Sequence, residues 1–243
     1  MPKILRALLA ALPLMIVASL VASLAASGVG CGQASAPRPE AASRATAPAD
    51  APSGRLASPP RIVFLGDSLT AGLGLPREQA VPSLIQERLQ AEGYPYEAVN
   101  AGVSGDTSAG GLSRLDWSLE GDVGILVIEL GANDGLRGLP VSQMQRNLSE
   151  IITRAQQRGI TVILTGMEAP PNYGIAYTSE FRRVFRDLAD QHDVALIPFF
   201  LEGVAGNPAL NNSDGIHPNA AGARIVAETV WRALEPVLEK QDR

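Results

Sequence analysis

From residue 61 onward, short runs of Ile, Val and Leu alternate with longer amphipathic stretches, and this alternation limits the possible folds more than any other feature of the chain. It predicts strands at 61–66, 96–101, 124–130, 161–166 and 194–199. Helices are expected near 80–92, 107–119, 141–158, 176–191 and 218–238. The strand runs lack a two-residue alternation, the pattern of strands covered on both faces. Helix 141–158 gathers Met144, Leu148, Ile151 and Ile152 on one face and leaves Gln and Arg elsewhere. Strand-helix alternation of this kind implies a parallel sheet, right-handed crossovers and helices on both faces. The expectation is one α/β domain with about five parallel strands and about 180 residues, enough for a sizeable core. A hydrophobic content of 46% against 19% charged residues rules out a disordered chain. The net charge of −5, with no long basic run, excludes a nucleic-acid surface.

Open parallel sheets collect functional groups outside the carboxyl ends of their strands, so the loops there are the places to search. The first strand runs into Gly66-Asp67-Ser68, the second into "NAGVSGDT" and the third into "GAND". The fourth leads to "MEAPPNYG", and the fifth, after a longer loop, to "NNSDGIHPNAAG". Ser68 suits either a helix N-cap or a nucleophile. A nucleophile needs a base, and the chain has 2 histidines. His192, in "DLADQHDVA", reads as a helix-end cap or a solvent-facing residue. His217 lies just before Pro218 and Asn219, which open the last helix. Asp214 precedes it by three residues, a spacing at which one tight turn lets a carboxylate accept the imidazole Nδ1–H. The chain order Ser, Asp, His also occurs in α/β-hydrolases, but their G-x-S-x-G elbow is absent, because Leu69 and Thr70 follow Ser68.

Acyl transfer further requires donors aimed at a developing oxyanion. Gly105 can present a backbone N–H without a Cβ in the way, Asn133 a side-chain amide, and Ser68 its own N–H at a helix start. Each has a plainer reading, as turn glycine, Asx-turn or cap. Their recurrence at successive strand ends favours a site. Asp67 reads as a turn-holding carboxylate and Asp106, with Thr107, as a helix start. No His, Asp or Glu stands at ligand spacing beside them, so no metal is expected. "AGGLSR" and "GLGL" lack the Gly-Lys-Ser/Thr ending of a phosphate-binding loop.

Together, "GDSLTAG", "NAGVSGDTS", "GAND" and "DGIHPN" resemble the four blocks of the SGNH (GDSL-type) hydrolases, in that family's order and across roughly 61–238. The similarity extends to the bacterial arylesterase, acyl-CoA thioesterase and lysophospholipase group, whose loop and helix after the fourth strand look like "APPNYG" followed by Tyr177 and Phe181. The resemblance implies a three-layer, flavodoxin-like α/β/α sandwich. It implies Ser68 as nucleophile, His217 as base and Asp214 as its orienter. The oxyanion hole would be the Ser68 N–H with Gly105 and Asn133, and no cofactor is implied. The substrate would be a small acyl ester or thioester, with Leu136, Leu139, Tyr173 and Ile175 as candidates to line an acyl groove. Two other readings stay open at this point: an O-acetyl esterase acting on envelope polysaccharide, and a surface-tethered binding module without turnover.

The first thirty residues are a separate object. Lys3 and Arg6 precede an apolar stretch at 8–26, and small residues then lead to Gly30 and the single cysteine, Cys31. This reads as a secretory signal. "ASGVGC" resembles a bacterial lipobox, in which the cysteine is acylated and becomes the mature N-terminus, although Gly28 stands where Leu is usual. Plain secretion and an uncleaved membrane anchor are the alternatives. The expected partner is a membrane, reached through Cys31, and the expected location is the cell envelope or periplasm. Residues 31–60, rich in Ala, Pro and Ser, read as a flexible tether ahead of the hydrolase domain at 61–243.

Overall fold

A computed structural model describes residues 58–241, so the signal, Cys31 and nearly all of the tether lie outside the described residues. In chain order the elements are β1 (Arg61–Gly66), α1 (Ser68–Ala71), α2 (Val81–Glu92), β2 (Glu97–Gly102), α3 (Ser108–Ser113) and α4 (Leu115–Ser118). These are followed by β3 (Val123–Glu129), α5 (Ala132–Leu136), α6 (Val141–Gln157), β4 (Thr161–Thr165), α7 (Ile175–His192), β5 (Ala195–Ile197) and α8 (Ala220–Gln241). The five strands form one sheet in the order β2-β1-β3-β4-β5, and every pairing is parallel.

That order fixes where a site can form. From β1 the chain steps one way to β2, and from β3 it steps the opposite way to β4 and β5. Right-handed crossovers in opposite directions put their helices on opposite faces. Accordingly α2 packs with α8, while α6 packs with α3 and α7. β1 and β3 are neighbours at the reversal, where the loops leaving their carboxyl ends diverge and open a crevice.

The core follows the apolar periods. Met144, Leu148, Ile151 and Ile152 of α6 are all buried, as are Phe181, Phe185 and Leu188 of α7. On the other face Val230, Trp231 and Leu234 of α8 are buried. Each such side chain contributes about 1.5–3 kcal/mol by leaving water.

Four expectations need correction. β2 is not covered on both faces: it is an edge strand with half-exposed or exposed residues throughout. The helix expected at 107–119 is two short helices broken at Arg114, whose side chain turns back to bond Asp106 and the Gly66 carbonyl. β5 ends at Ile197 because Pro198 has no N–H to continue a ladder. The last helix starts at Ala220. Pro218 belongs instead to an isolated bridge with Asn211, and Asn219 caps the helix by accepting the N–H groups of Ala221 and Gly222.

Candidate active site

β1 ends against Asp67, and Asp67, not Ser68, is the N-cap of α1: its Oδ1 accepts the Leu69 N–H at 3.0 Å. Ser68 is therefore the first helical residue. Its own N–H is one of those that no helix carbonyl can satisfy. The Ser68 Oγ lies 2.8 Å from His217 Nε2, although the two are 149 positions apart in sequence.

The turn carrying His217 is built around one carboxylate. Asp214 Oδ1 accepts the backbone N–H groups of Ile216 at 2.8 Å and His217 at 3.0 Å, while Oδ2 lies 2.8 Å from His217 Nδ1. The backbone donations of His217 and Ile216, with the His217 ring, hold the Asp214 carboxyl at about 2, so it is an anion at neutral pH. The asparagines on either side are scaffold. Asn211 donates to the carbonyls of Val204 and Asn207, the Asn212 N–H donates to the His217 carbonyl, and Asn219 donates to the Ala209 carbonyl.

From the end of β3, α5 brings in Asn133, whose Nδ2 donates to Asp67 Oδ2 at 2.8 Å. Asn133, Ser68 and His217 line the same cavity of about 430 Å³, within the usual range for small-molecule sites. Its wall is mostly apolar, with Leu69, Leu136, Met167, Pro170, Phe199 and Ile216 among its residues. Leu136 thus lies where the sequence suggested. Tyr173, Leu139 and Ile175 are not in the wall: the Tyr173 hydroxyl donates to the Leu136 carbonyl, and Ile175 points outward, 85% exposed.

Gly105 is held next to this group without lining the cavity. It has φ +85°, a left-handed conformation that disfavours any side chain, and its carbonyl accepts from Arg137 Nη2 at 2.8 Å. The loop carrying it is tied to the end of β1, because the Val103 N–H and the Arg114 guanidinium both donate to the Gly66 carbonyl. The structure thus joins Ser68, His217, Asp214 and Asn133 by direct or single-residue links, and Gly105 through its neighbours. His192 is remote from them and sits 2.8 Å from the Ser149 hydroxyl.

Several further residues brace the site, and Asn147, Arg114 and Glu129 among them lie outside the four sequence blocks. Asp134 accepts from the Ser108 N–H and hydroxyl, both at 2.7 Å, and Asn147 donates to that hydroxyl. Arg114 pairs with Asp106 at 2.6 Å. Glu129, at the end of β3, accepts from the Asp67 N–H and the Thr70 hydroxyl. Burial, and then the adjacent Asp67, push the Glu129 carboxyl well above the ordinary carboxylate range and favour its neutral form. The one available signal was its position, an acid within the apolar run "ILVIEL". Among the described residues, no three His, Cys, Asp or Glu side chains converge as metal ligands.

A hydroxyl, an imidazole and a carboxylate in sequence, opening on an apolar cavity with amide donors beside it, can carry out acyl transfer. Residues 64–225 match the GDSL-like Lipase/Acylhydrolase family. The chain belongs to this family. Esterase TesA of Pseudomonas aeruginosa is 48% identical over 178 residues, spanning 73% of this chain and 89% of that protein. Thioesterase 1/protease 1/lysophospholipase L1 of Escherichia coli is 35% identical over 185 residues, spanning 76% of this chain and 88% of that protein. Among solved structures, psychrotrophic esterase EstA from Pseudoalteromonas sp., inhibited by monoethylphosphonate, superposes with a TM-score of 0.70 at 36% identity. That match covers 74% of this chain and 98% of the other. Membership agrees with the all-parallel α/β/α fold and with the resemblance carried by the four sequence blocks.

Proposed function

We propose that the protein is a serine hydrolase that cleaves carboxylic esters or thioesters of acyl chains. The observation that carries this reading is the unbroken run of 2.8 Å contacts from Asp214 through His217 to Ser68 at the rim of the apolar cavity. His217 Nε2 takes the Ser68 proton as Oγ attacks the acyl carbon. The tetrahedral oxyanion is met by the Ser68 and Gly105 N–H groups and the Asn133 amide. His217 then gives its proton to the departing alcohol or thiol, leaving an acyl-enzyme. Water, deprotonated by His217, attacks that ester and releases the acid, and the proton returns to Ser68. Asp214 holds the imidazole in the required tautomer and stabilises its charged form.

The apolar wall favours a hydrocarbon acyl group over acetyl. The test is a chain-length series of p-nitrophenyl esters and acyl-CoA thioesters, with fluorophosphonate labelling and Ser68→Ala beside the wild type. Turnover of chains longer than acetyl, labelling of the wild type and loss of both in Ser68→Ala are expected. Full activity in Ser68→Ala would refute the nucleophile. Activity confined to acetyl esters would favour the polysaccharide O-acetyl esterase instead.

The same proposal extends to location. The charged start, the apolar 8–26 stretch and Cys31 support export followed by lipid attachment at Cys31, which would hold the enzyme at a membrane of the cell envelope. Intact mass of membrane-extracted protein should show a diacylglyceryl-modified Cys31 as the first residue. A chain that begins at an unmodified Met1 would refute this.

A further inference from the structure

The acyl-transfer steps above make no use of Glu129, and its side chain is 1% exposed. The parallel register of β1 and β3 sets it directly beside Gly66. A Cβ on Gly66 would lie 2.7 Å from Glu129 Oε2 and 2.0 Å from Thr70 Oγ1, so only glycine lets the carboxyl lie flat against the end of β1. In that position Oε2 accepts the Asp67 N–H at 3.2 Å and the Thr70 hydroxyl at 2.9 Å. These donors flank Ser68, one residue before it and two after. Asp67 passes the constraint on, with one oxygen on the Leu69 N–H and the other on the Asn133 amide. The second Glu129 oxygen has no hydrogen-bond partner among the described residues.

We infer that Glu129 is a positioning residue of the hydrolase site: its carboxyl grips the chain on both sides of Ser68 and, through Asp67, sets the Asn133 amide toward the developing oxyanion. The inference rests on the roles proposed above for Ser68 and Asn133. A leucine here would match the rest of β3 and bury well, but it would leave the Asp67 N–H and the Thr70 hydroxyl without an acceptor in a dry interior. An ionised carboxylate would accept both bonds but would place a second negative charge beside buried Asp67. The protonated acid meets both requirements. A glutamine has the same shape and the same acceptor, so it is the informative substitution.

Glu129→Gln, Glu129→Ala, Thr70→Val and Ser68→Ala are compared in the full chain, with p-nitrophenyl butyrate kinetics, fluorophosphonate labelling rates and thermal melts. Glu129→Ala is expected to lose about 100-fold in kcat, the scale of an ångström misplacement of reacting groups, and to lose labelling rate in parallel. Its KM should stay within about twofold, because the acyl cavity is untouched. Thr70→Val, lacking one of the two gripped donors, should fall between Glu129→Ala and the wild type. Glu129→Gln should keep kcat within about tenfold, since both hydrogen bonds persist. Wild-type kcat in Glu129→Ala would overturn the inference, and so would equal impairment of the Gln and Ala variants. If Glu129→Ala does not fold, unchanged kcat and labelling in a folded Thr70→Val overturn it. Retained activity in Ser68→Ala would sink the underlying reading instead, so the two failures are distinguishable.

Discussion

Burying an acid beside another acid makes stability depend on pH in a direction opposite to most carboxylates, and Glu129→Gln isolates the effect. In the folded chain Glu129 keeps its proton far above its ordinary value of 4.5, because burial and Asp67 both oppose ionisation. In the unfolded chain it ionises normally. Between those two values the folded state holds one more proton than the unfolded state. Its stabilisation is therefore complete below about 4.5 and is lost as pH rises toward the folded value, by roughly 1.4 kcal/mol per pH unit. Glutamine has no proton to lose. Above about pH 4.5 the variant should therefore gain on the wild type as pH rises, by up to about 1.4 kcal/mol per pH unit, or about 3–6 °C in melting temperature for each unit in a domain of this size. Asp67, whose own carboxyl is raised by burial, faces Glu129 and shares this titration. Asp214 is present in both proteins, so its contribution cancels in the difference. The assay is urea unfolding of both proteins across that range, with the stability difference plotted against pH. A flat difference, or one that shrinks as pH rises, would refute the claim that Glu129 is buried as the neutral acid.

Asn133→Ala removes the proposed oxyanion donor and should lower kcat about 10²–10³-fold with little change in KM, measured by steady-state kinetics on the preferred ester. Phe181→Ala should cost about 3–5 kcal/mol in urea unfolding. Phe181 is fully buried between the rings of Tyr177 at 6.1 Å and Phe185 at 5.6 Å, which leave little scope for collapse. Asp214→Asn should flatten acid destabilisation at the low end. The folded carboxyl sits at about 2 against an ordinary 3.8, so its contribution is present above 3.8 and disappears as pH falls toward 2. Unfolding curves collected over that interval check the slope.

The parts of the fold that depend on period and punctuation were legible in the sequence. Apolar runs and amphipathic helices specify a parallel sheet whatever their neighbours do, and small polar residues at strand ends mark where the chain turns toward ligand. The break at Arg114 was not legible, because it depends on a guanidinium finding Asp106 and a carbonyl at the end of a distant strand. The half-exposed β2 was not legible either, since which strand lies at an edge depends on the order of strands and not on any one run. At the site, Asp214 and His217 could be paired from their spacing because a single turn contains both. The exchange of capping roles between Ser68 and Asp67 turns on one rotation of the backbone, and both residues are good caps. Glu129 stayed hidden because its partners lie in a turn about sixty residues away, and one acid does not alter the apolar period of a strand.

The separation of 149 positions between Ser68 and His217 also sets the timing of the enzyme's activity. Ribosomes deliver Ser68 well before His217, and the turn bearing His217 is pinned by Asn219 to α8. A nascent or truncated polypeptide that stops before residue 217 has a serine with no proton acceptor, however well its first strands have paired. With the roles proposed for these residues, catalysis requires that α8 has docked, so turnover is itself a readout of finished folding.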